Sequence, residues 1–240
     1  MKISIVVPAF NEELLLARTL ENLNSASAVF ARMGWQTEII VCDNNSTDGT
    51  AAIARAAGAS VVFEPVNQIA RARNCGAAAA NGDWLLFIDA DSYPSEALLA
   101  DAAQTIAAGR CLGGGATIRM DEKHFVGGVV VRGWNLLSRM GKWFAGSFIF
   151  VEAAAFRELR GFSEELFAGE EVELCARLRK MARRANRTIV ILHRHPLLTS
   201  ARKLRLYTPW EHARFVFHLA LSRRTLNRRE VCAIWYSGRR

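Results

Sequence analysis

Much of what this 240-residue sequence says comes first from what it lacks. Half its residues are hydrophobic, yet no stretch approaches the roughly 20 uninterrupted apolar residues that span a bilayer. The strand-like run at residues 3–8 is too short for a signal peptide's apolar region and has no small-residue cleavage site after it. The five cysteines (Cys42, Cys75, Cys111, Cys175, Cys232) are odd in number, scattered and never spaced Cys-x-x-Cys. That argues against a disulfide framework or zinc site, and they read as reduced thiols. No G-x-G-x-x-G follows the first strand and no G-x-x-x-x-G-K-[ST] occurs anywhere, which weighs against dinucleotide oxidoreductases and P-loop NTPases. No helix-turn-helix spacing, zinc finger or RNP aromatic motif is present, so no nucleic acid partner is expected.

What is abundant is positive charge, +8 in all, crowded into the last third from Arg177 to the Arg239-Arg240 end. This asymmetry fits nucleotide phosphates or an anionic membrane surface better than a duplex. The expected location is the cytoplasm, with peripheral attachment to the inner face of the membrane. Residues 210–221 are apolar nearly all round, as in a helix that docks on protein or lies in a membrane interface.

The order of elements is regular in the first half. A β-branched run closes at Pro8; Asn11 is placed to cap a helix that Leu14, Leu15, Leu20 and Leu23 continue. Strands at 38–42, 59–64 and 83–89 alternate with helices at 51–57 and 69–80, a β-α-β-α-β-α-β pattern that predicts a parallel sheet. A helix at 96–107 and a glycine-weakened strand at 111–118 follow. Residues 120–142 lose the period and read as a mobile or acceptor-facing insertion. A strand at 146–151, an acid-led helix from about Glu170 and a last strand at 189–192 complete the expected domain. Glu170, Glu171 and Glu173 suit a helix start, with pairing to Arg177 at i+4.

The strand at 84–88 runs into Asp89-Ala90-Asp91. If the extended backbone continues, both carboxylates project from one side at the carboxyl end of a buried strand, where open α/β sheets bind ligands. Two hard oxygen donors there call for Mg²⁺ or Mn²⁺ shared with substrate phosphates. A turn opening onto Pro94 explains the same residues without a ligand. His193 is a candidate third metal ligand, or a structural histidine.

Four pieces stand in fixed order: residues 4–12 (SIVVPAFNE), 41–50 (VCDNNSTDGT), 72–76 (ARNCG) and 87–91 (FIDAD). With Arg160-Gly161-Phe162 and Gly169-Glu170-Glu171-Val172-Glu173-Leu174, they resemble family 2 glycosyltransferases of the GT-A fold. The resemblance covers most of residues 1–184. It implies a single GT-A domain, α/β, with a Rossmann-like, mostly parallel sheet flanked by helices. That domain would span 1–205 (nucleotide half 1–94, acceptor half 95–205), followed by a basic, apolar helical tail at 206–240.

The resemblance further implies non-processive, inverting sugar transfer from a nucleoside-diphosphate donor, UDP- or GDP-linked, to a hydroxyl or a lipid phosphate. Asp91 with Asp89 would hold the metal across the diphosphate. Pro8, Ala9, Phe10, Glu12, Asp43 and Ala90 would line the nucleotide-sugar site, and Arg73 and Arg202 would meet phosphate or sugar. Where the family carries Glu-Asp this chain has Glu170-Glu171, making Glu171 the expected base and Glu170 the runner-up. Two other readings stay open: a nucleotidyltransferase on a related sheet, and a non-catalytic nucleotide-sugar-binding or membrane-docking subunit. The acceptor is not legible in the sequence.

Overall fold

The computed structural model describes residues 1–121, 125–144 and 146–202. The expected helical tail at 206–240 and the basic residues Lys203 and Arg205 lie outside the described residues.

β1 (Lys2–Ala9) is buried along nearly its whole length, as its β-branched residues favour in a strand covered on both faces. α1 (Leu16–Ala26) and the short α2 (Ala28–Arg32) follow. β2 (Gln36–Asp43), α3 (Thr50–Ala56), β3 (Ser60–Phe63), α4 (Ile69–Ala79) and β4 (Trp84–Ile88) complete the alternating half. β2 and β4 both pair parallel with β1, and β3 pairs parallel with β2.

The second half comprises β5 (Ser92–Tyr93), α5 (Glu96–Ala107), β6 (Cys111–Met120), α6 (Phe125–Gly141), β7 (Phe148–Glu152), α7 (Ala153–Glu158), α8 (Glu170–Arg184) and β8 (Thr188–Thr199). All eight strands join one sheet in the order β3-β2-β1-β4-β7-β6-β8-β5. β7 enters antiparallel between β4 and β6, and so joins the two halves.

Side chains alternate across this sheet to build a core on each face. Ile5, Val7, Leu86 and Ile88 pack with α1, α2 and α5 through Leu20, Phe30 and Leu98. Val6, Leu85 and Phe87 pack on the other side with Phe156, Phe162, Leu174 and Leu178. The glycines of β6 serve close packing: a Cβ at Gly114 would collide with the Val190 carbonyl oxygen and the Phe150 ring.

Three expectations are corrected. α1 begins at Leu16, not after Asn11, because Asn11 takes a left-handed φ of 51° and gives its side chain to the neighbouring loop. The last strand runs on to Thr199, held along β6 and ending against β5. The expected ion pair at i+4 forms between Glu173 and Arg177, while Glu170 pairs with Arg73. Residues 125–141 form a helix where the sequence shows no clear period. Its polar Asn135 faces inward and brackets the Ile118 backbone with both amide atoms, while Leu136, Leu137 and Met140 face out.

Candidate functional site

The carboxyl ends of β1, β2 and β4 meet at one edge of the sheet, and short polar contacts fuse their loops. Asn44 N–H donates to Ala9 O at 2.8 Å, and Asn11 N–H donates to Ser46 Oγ at 3.0 Å. Thr47 N–H donates to Asn11 Oδ1 at 2.8 Å, Glu12 N–H to Thr50 Oγ1 at 2.8 Å, and Gly49 N–H to Glu13 Oε2 at 3.0 Å. Thus the Pro8-Ala9-Phe10 turn and the loop after Asp43 make a single wall. Asp43 itself is buried and accepts from Ser46 N–H at 3.0 Å, the turn-closing role expected of an Asx residue.

β4 stops at Ile88 rather than extending through the acids. Ser92 N–H donates to Asp89 O at 3.1 Å and closes a turn. Thr19 Oγ1 and Ser200 N–H pin the turn from outside by donating to Ala90 O and Asp91 O, at 2.6 and 3.0 Å. The condition of extended backbone from Ile88 to Asp91 is therefore not met, because the chain reverses here to bring Ser92 onto β8. Each acid faces a different arginine: Asp89 Oδ1 lies 3.1 Å from Arg73 Nη2, and Asp91 Oδ2 lies 4.0 Å from Arg202 Nη2.

Arg73 is the hub of the inner part. It projects from α4, is 1% exposed, and its guanidinium stacks 5.3 Å above the Phe162 ring. Nη1 donates to Glu170 Oε1 at 2.6 Å; Nη2 donates to Asp89 Oδ1 and to Gly146 O at 2.9 Å. Burial opposes its charge, but Asp89, Glu170 and Glu171 outweigh that and raise its pKa. The planar fork suits this task in a way lysine does not. One residue on, Asn74 takes Phe162 N–H on Oδ1 and gives Nδ2 to Phe162 O, both at 2.9 Å. A Cβ at Gly76, two residues further, would drive into Val6. So the ARNCG motif is a clasp: Arg73 to α8, Asn74 to the loop before α8, Gly76 to β1.

Glu171 sits beside this hub. A Cβ placed on Gly146 would lie 3.2 Å from Arg73 Nη2 and 3.7 Å from Glu171 Cδ. The residue is half-buried. Burial, and then the neighbouring Glu170 carboxylate, push its pKa up to about 8, with Arg73 pulling the other way. Two adjacent acids at one helix start therefore differ in kind. Glu170 is the ion partner of Arg73, and Glu171 is the acid whose pKa is raised.

Arg202 forms a second centre toward the outer edge. Its Nη2 lies 2.7 Å from both oxygens of Glu12 and 4.0 Å from Asp91. Its Nε and Nη1 are buried with no hydrogen-bond partner among the described residues. Donors left unmatched in this way suit an incoming anion.

His193 does not join these groups. It is exposed on β8 beside Leu192, which pairs with Ala116, whereas Thr199 pairs with Met120 and Ser92 next to Asp91. Four residues of β6 separate the two places, on the order of 13 Å. It lines a separate hollow of about 520 Å³ with Asp101, Gln104 and Arg110. Among the described residues no three His, Cys, Asp or Glu gather to hold a metal. A cation held by Asp91 would have to complete its shell with substrate oxygens, the usual arrangement for Mg²⁺.

The sequence reading missed Gly146, whose carbonyl completes the Arg73 shell, and the clasping role of Asn74. The first leaves no sequence signal because a backbone atom does the work. The second was visible only as part of a motif.

Residues 4–154 match the family described as Glycosyl transferase family 2. An uncharacterized glycosyltransferase of Rickettsia typhi is 33% identical over 97 residues, 40% of this chain and 30% of its own length. An uncharacterized glycosyltransferase of Mycobacterium tuberculosis is 37% identical over 89 residues, 37% of this chain and 36% of its own. The chain thus spans about a third of the length of these curated relatives. Among solved structures, S. aureus TarS 1–349 superposes with a TM-score of 0.66 at 22% identity, covering 91% of this chain and 65% of that one. The mannosyltransferase PcManGT of Pyrobaculum calidifontis, solved with GDP-Man and Mn2+, gives 0.69 at 18%, covering 89% and 59%. Glucosyl-3-phosphoglycerate synthase of Mycobacterium tuberculosis gives 0.64 at 20%, covering 98% and 79%. These neighbours share the fold, a mixed α/β domain of the GT-A kind.

Proposed function

The chain belongs to glycosyl transferase family 2, and from that premise we propose that it transfers a sugar, with inversion, from a nucleoside-diphosphate donor to an acceptor hydroxyl or lipid phosphate. One observation carries the reading. Arg73 ties the end of β4, at Asp89, to the start of α8, where Glu171 stands beside the same guanidinium. The element that would bind the donor and the element that would activate the acceptor are locked in one buried network.

The wall made by residues 8–12 and the loop after Asp43 is suited to a nucleoside. Asp91 and the free donors of Arg202 face the diphosphate that would follow from it. A divalent ion bound here, Mg²⁺ or Mn²⁺, would neutralise charge growing on the leaving diphosphate. Asp91 supplies a hard oxygen to such an ion, and Arg202 adds a fixed positive charge that needs no ion. Glu171 would take the proton from an acceptor hydroxyl as its oxygen attacks the anomeric carbon from the side opposite the diphosphate, whereas a lipid phosphate, already ionised, would attack without that transfer. Its raised pKa is what a base working near neutral pH requires. Glu170 would hold Arg73 and so keep Glu171 without an ion partner of its own.

Titration of the protein with UDP, GDP and their sugars, with Mg²⁺, Mn²⁺ or EDTA, tests this. The expected result is metal-strengthened binding of at least one nucleoside diphosphate, followed by sugar release or transfer. Binding of none of them in either metal would overturn it. Exchange of pyrophosphate into a nucleoside triphosphate would instead favour a nucleotidyltransferase, and binding without turnover in the presence of acceptors a non-catalytic subunit.

A further inference from the structure

α6 is amphipathic the wrong way round for a helix packed on protein. Val131 and Ser138 are buried, and Asn135 is spent on Ile118. At 100° per residue, Leu136, Leu137 and Met140 share an arc of about 100° on the opposite side. They are 58%, 61% and 76% exposed, and Trp143 follows at 42%. Arg132 and Arg139 border this strip and are exposed as well. Among the described residues nothing covers it.

Charge chooses among the occupants. Residues 203–240 carry nine Lys and Arg against two acids, so they would be repelled by Arg132 and Arg139. A second copy meeting face to face would oppose the same two arginines to themselves. An anionic bilayer accepts both features, apolar side chains at the acyl boundary and guanidinium groups among the phosphates. We infer that the outer face of α6 docks this protein on an anionic membrane surface through Leu136, Leu137, Met140 and Trp143, flanked by Arg132 and Arg139.

The helix is wired to the site. Arg179 on α8 donates to the Gly141 and Lys142 carbonyls, and Cys175 Sγ–H donates to Lys142 O at 3.0 Å. A few residues later Gly146 O receives Arg73. Docking through α6 would hold the α8 side of the cleft at the bilayer, so the acceptor is one presented at a membrane surface. That consequence rests on the transferase reading; the docking itself does not.

Flotation of the full chain, without nucleotide, on phosphatidylcholine vesicles with and without phosphatidylglycerol tests the docking. The wild type is expected to float only with the anionic vesicles. Replacing Leu136, Leu137 and Met140 together by serine should weaken this by about tenfold or more, since their apolar surface no longer enters the lipid. A second variant, Arg132→Gln with Arg139→Gln, should cost about tenfold on anionic vesicles. Wild type that ignores both vesicle types, or serine and glutamine variants that float like wild type, would overturn the inference. So would a wild-type dimer that the serine variant splits, which would assign the face to a second copy. A chain that binds UDP or GDP but no vesicle loses the docking and keeps the transferase reading; the reverse result does the opposite.

Discussion

Two arginines, Arg73 and Arg202, each bridge carboxylates from separate elements, and they are built for different work. Arg73 is 1% exposed, and both of its terminal nitrogens are engaged by Glu170, Asp89 and Gly146 O, its Nε alone having no partner among the described residues. Arg202 spends one nitrogen on Glu12, reaches Asp91 only at 4.0 Å, and keeps two donors unmatched. A guanidinium with both terminal nitrogens engaged holds a structure together; one with a terminal nitrogen to spare suits an incoming anion. The sequence resemblance implies a donor contact for both, and their surroundings differ.

The largest effect expected from breaking this contrast is at Arg73. Arg73→Met strands Glu170 and Asp89 in the interior, which should cost about 3–5 kcal/mol. In a chain of this size that is a fall in Tm of about 10 °C, read by thermal unfolding, and transfer activity should go with it. Arg202→Gln should behave oppositely. Losing charge-assisted donors worth about 1.5–3 kcal/mol should weaken diphosphate binding roughly ten- to a hundredfold in calorimetry. Its Tm should move by less than about 3 °C. If Arg202→Gln unfolds the protein, or Arg73→Met is stable and merely binds donor weakly, the contrast is wrong.

A smaller effect lies in pH. Glu171 must lose its proton to act, so kcat/KM should rise with pH through about 8 in wild type. Glu170→Gln removes the second cause of that shift and frees Arg73 toward Glu171, so the rise should move to lower pH. Stability runs the other way. The unfolded chain gives up this proton near 4.5 and the folded one near 8, so Glu171's contribution is full below 4.5 and lost as pH rises to about 8. A profile flat from pH 6 to 9 would remove Glu171 from the rate-determining proton transfer.

The alternating half of the fold was legible because each strand is a short β-branched or apolar run and each connection carries its own punctuation. Gly58, at φ +79°, ends α3 as expected, and Ser95 caps α5 by accepting from Leu98 N–H. α6 was not legible, because Asn135 is inside and leucines are outside, which reverses the pattern a helix is read by. At the sheet edge, Arg73 meets Asp89 and Glu170, and Arg202 meets Glu12 and nears Asp91. Their pairing could not be read, since it depends on a turn that replaces extended backbone and on a carbonyl at Gly146. His193 stands apart because it follows Leu192, which pairs with Ala116, four β6 residues before the Met120–Thr199 pair that borders the Asp91 turn.

The division between holding and reacting is tested most directly at Glu171. Calorimetric titration of Glu171→Gln with the nucleotide sugar that wild type binds, paired with a transfer assay on the same preparation, separates the two. The account predicts unchanged donor affinity and turnover lower by about 10²–10⁴-fold. Donor affinity unchanged with turnover intact would contradict it.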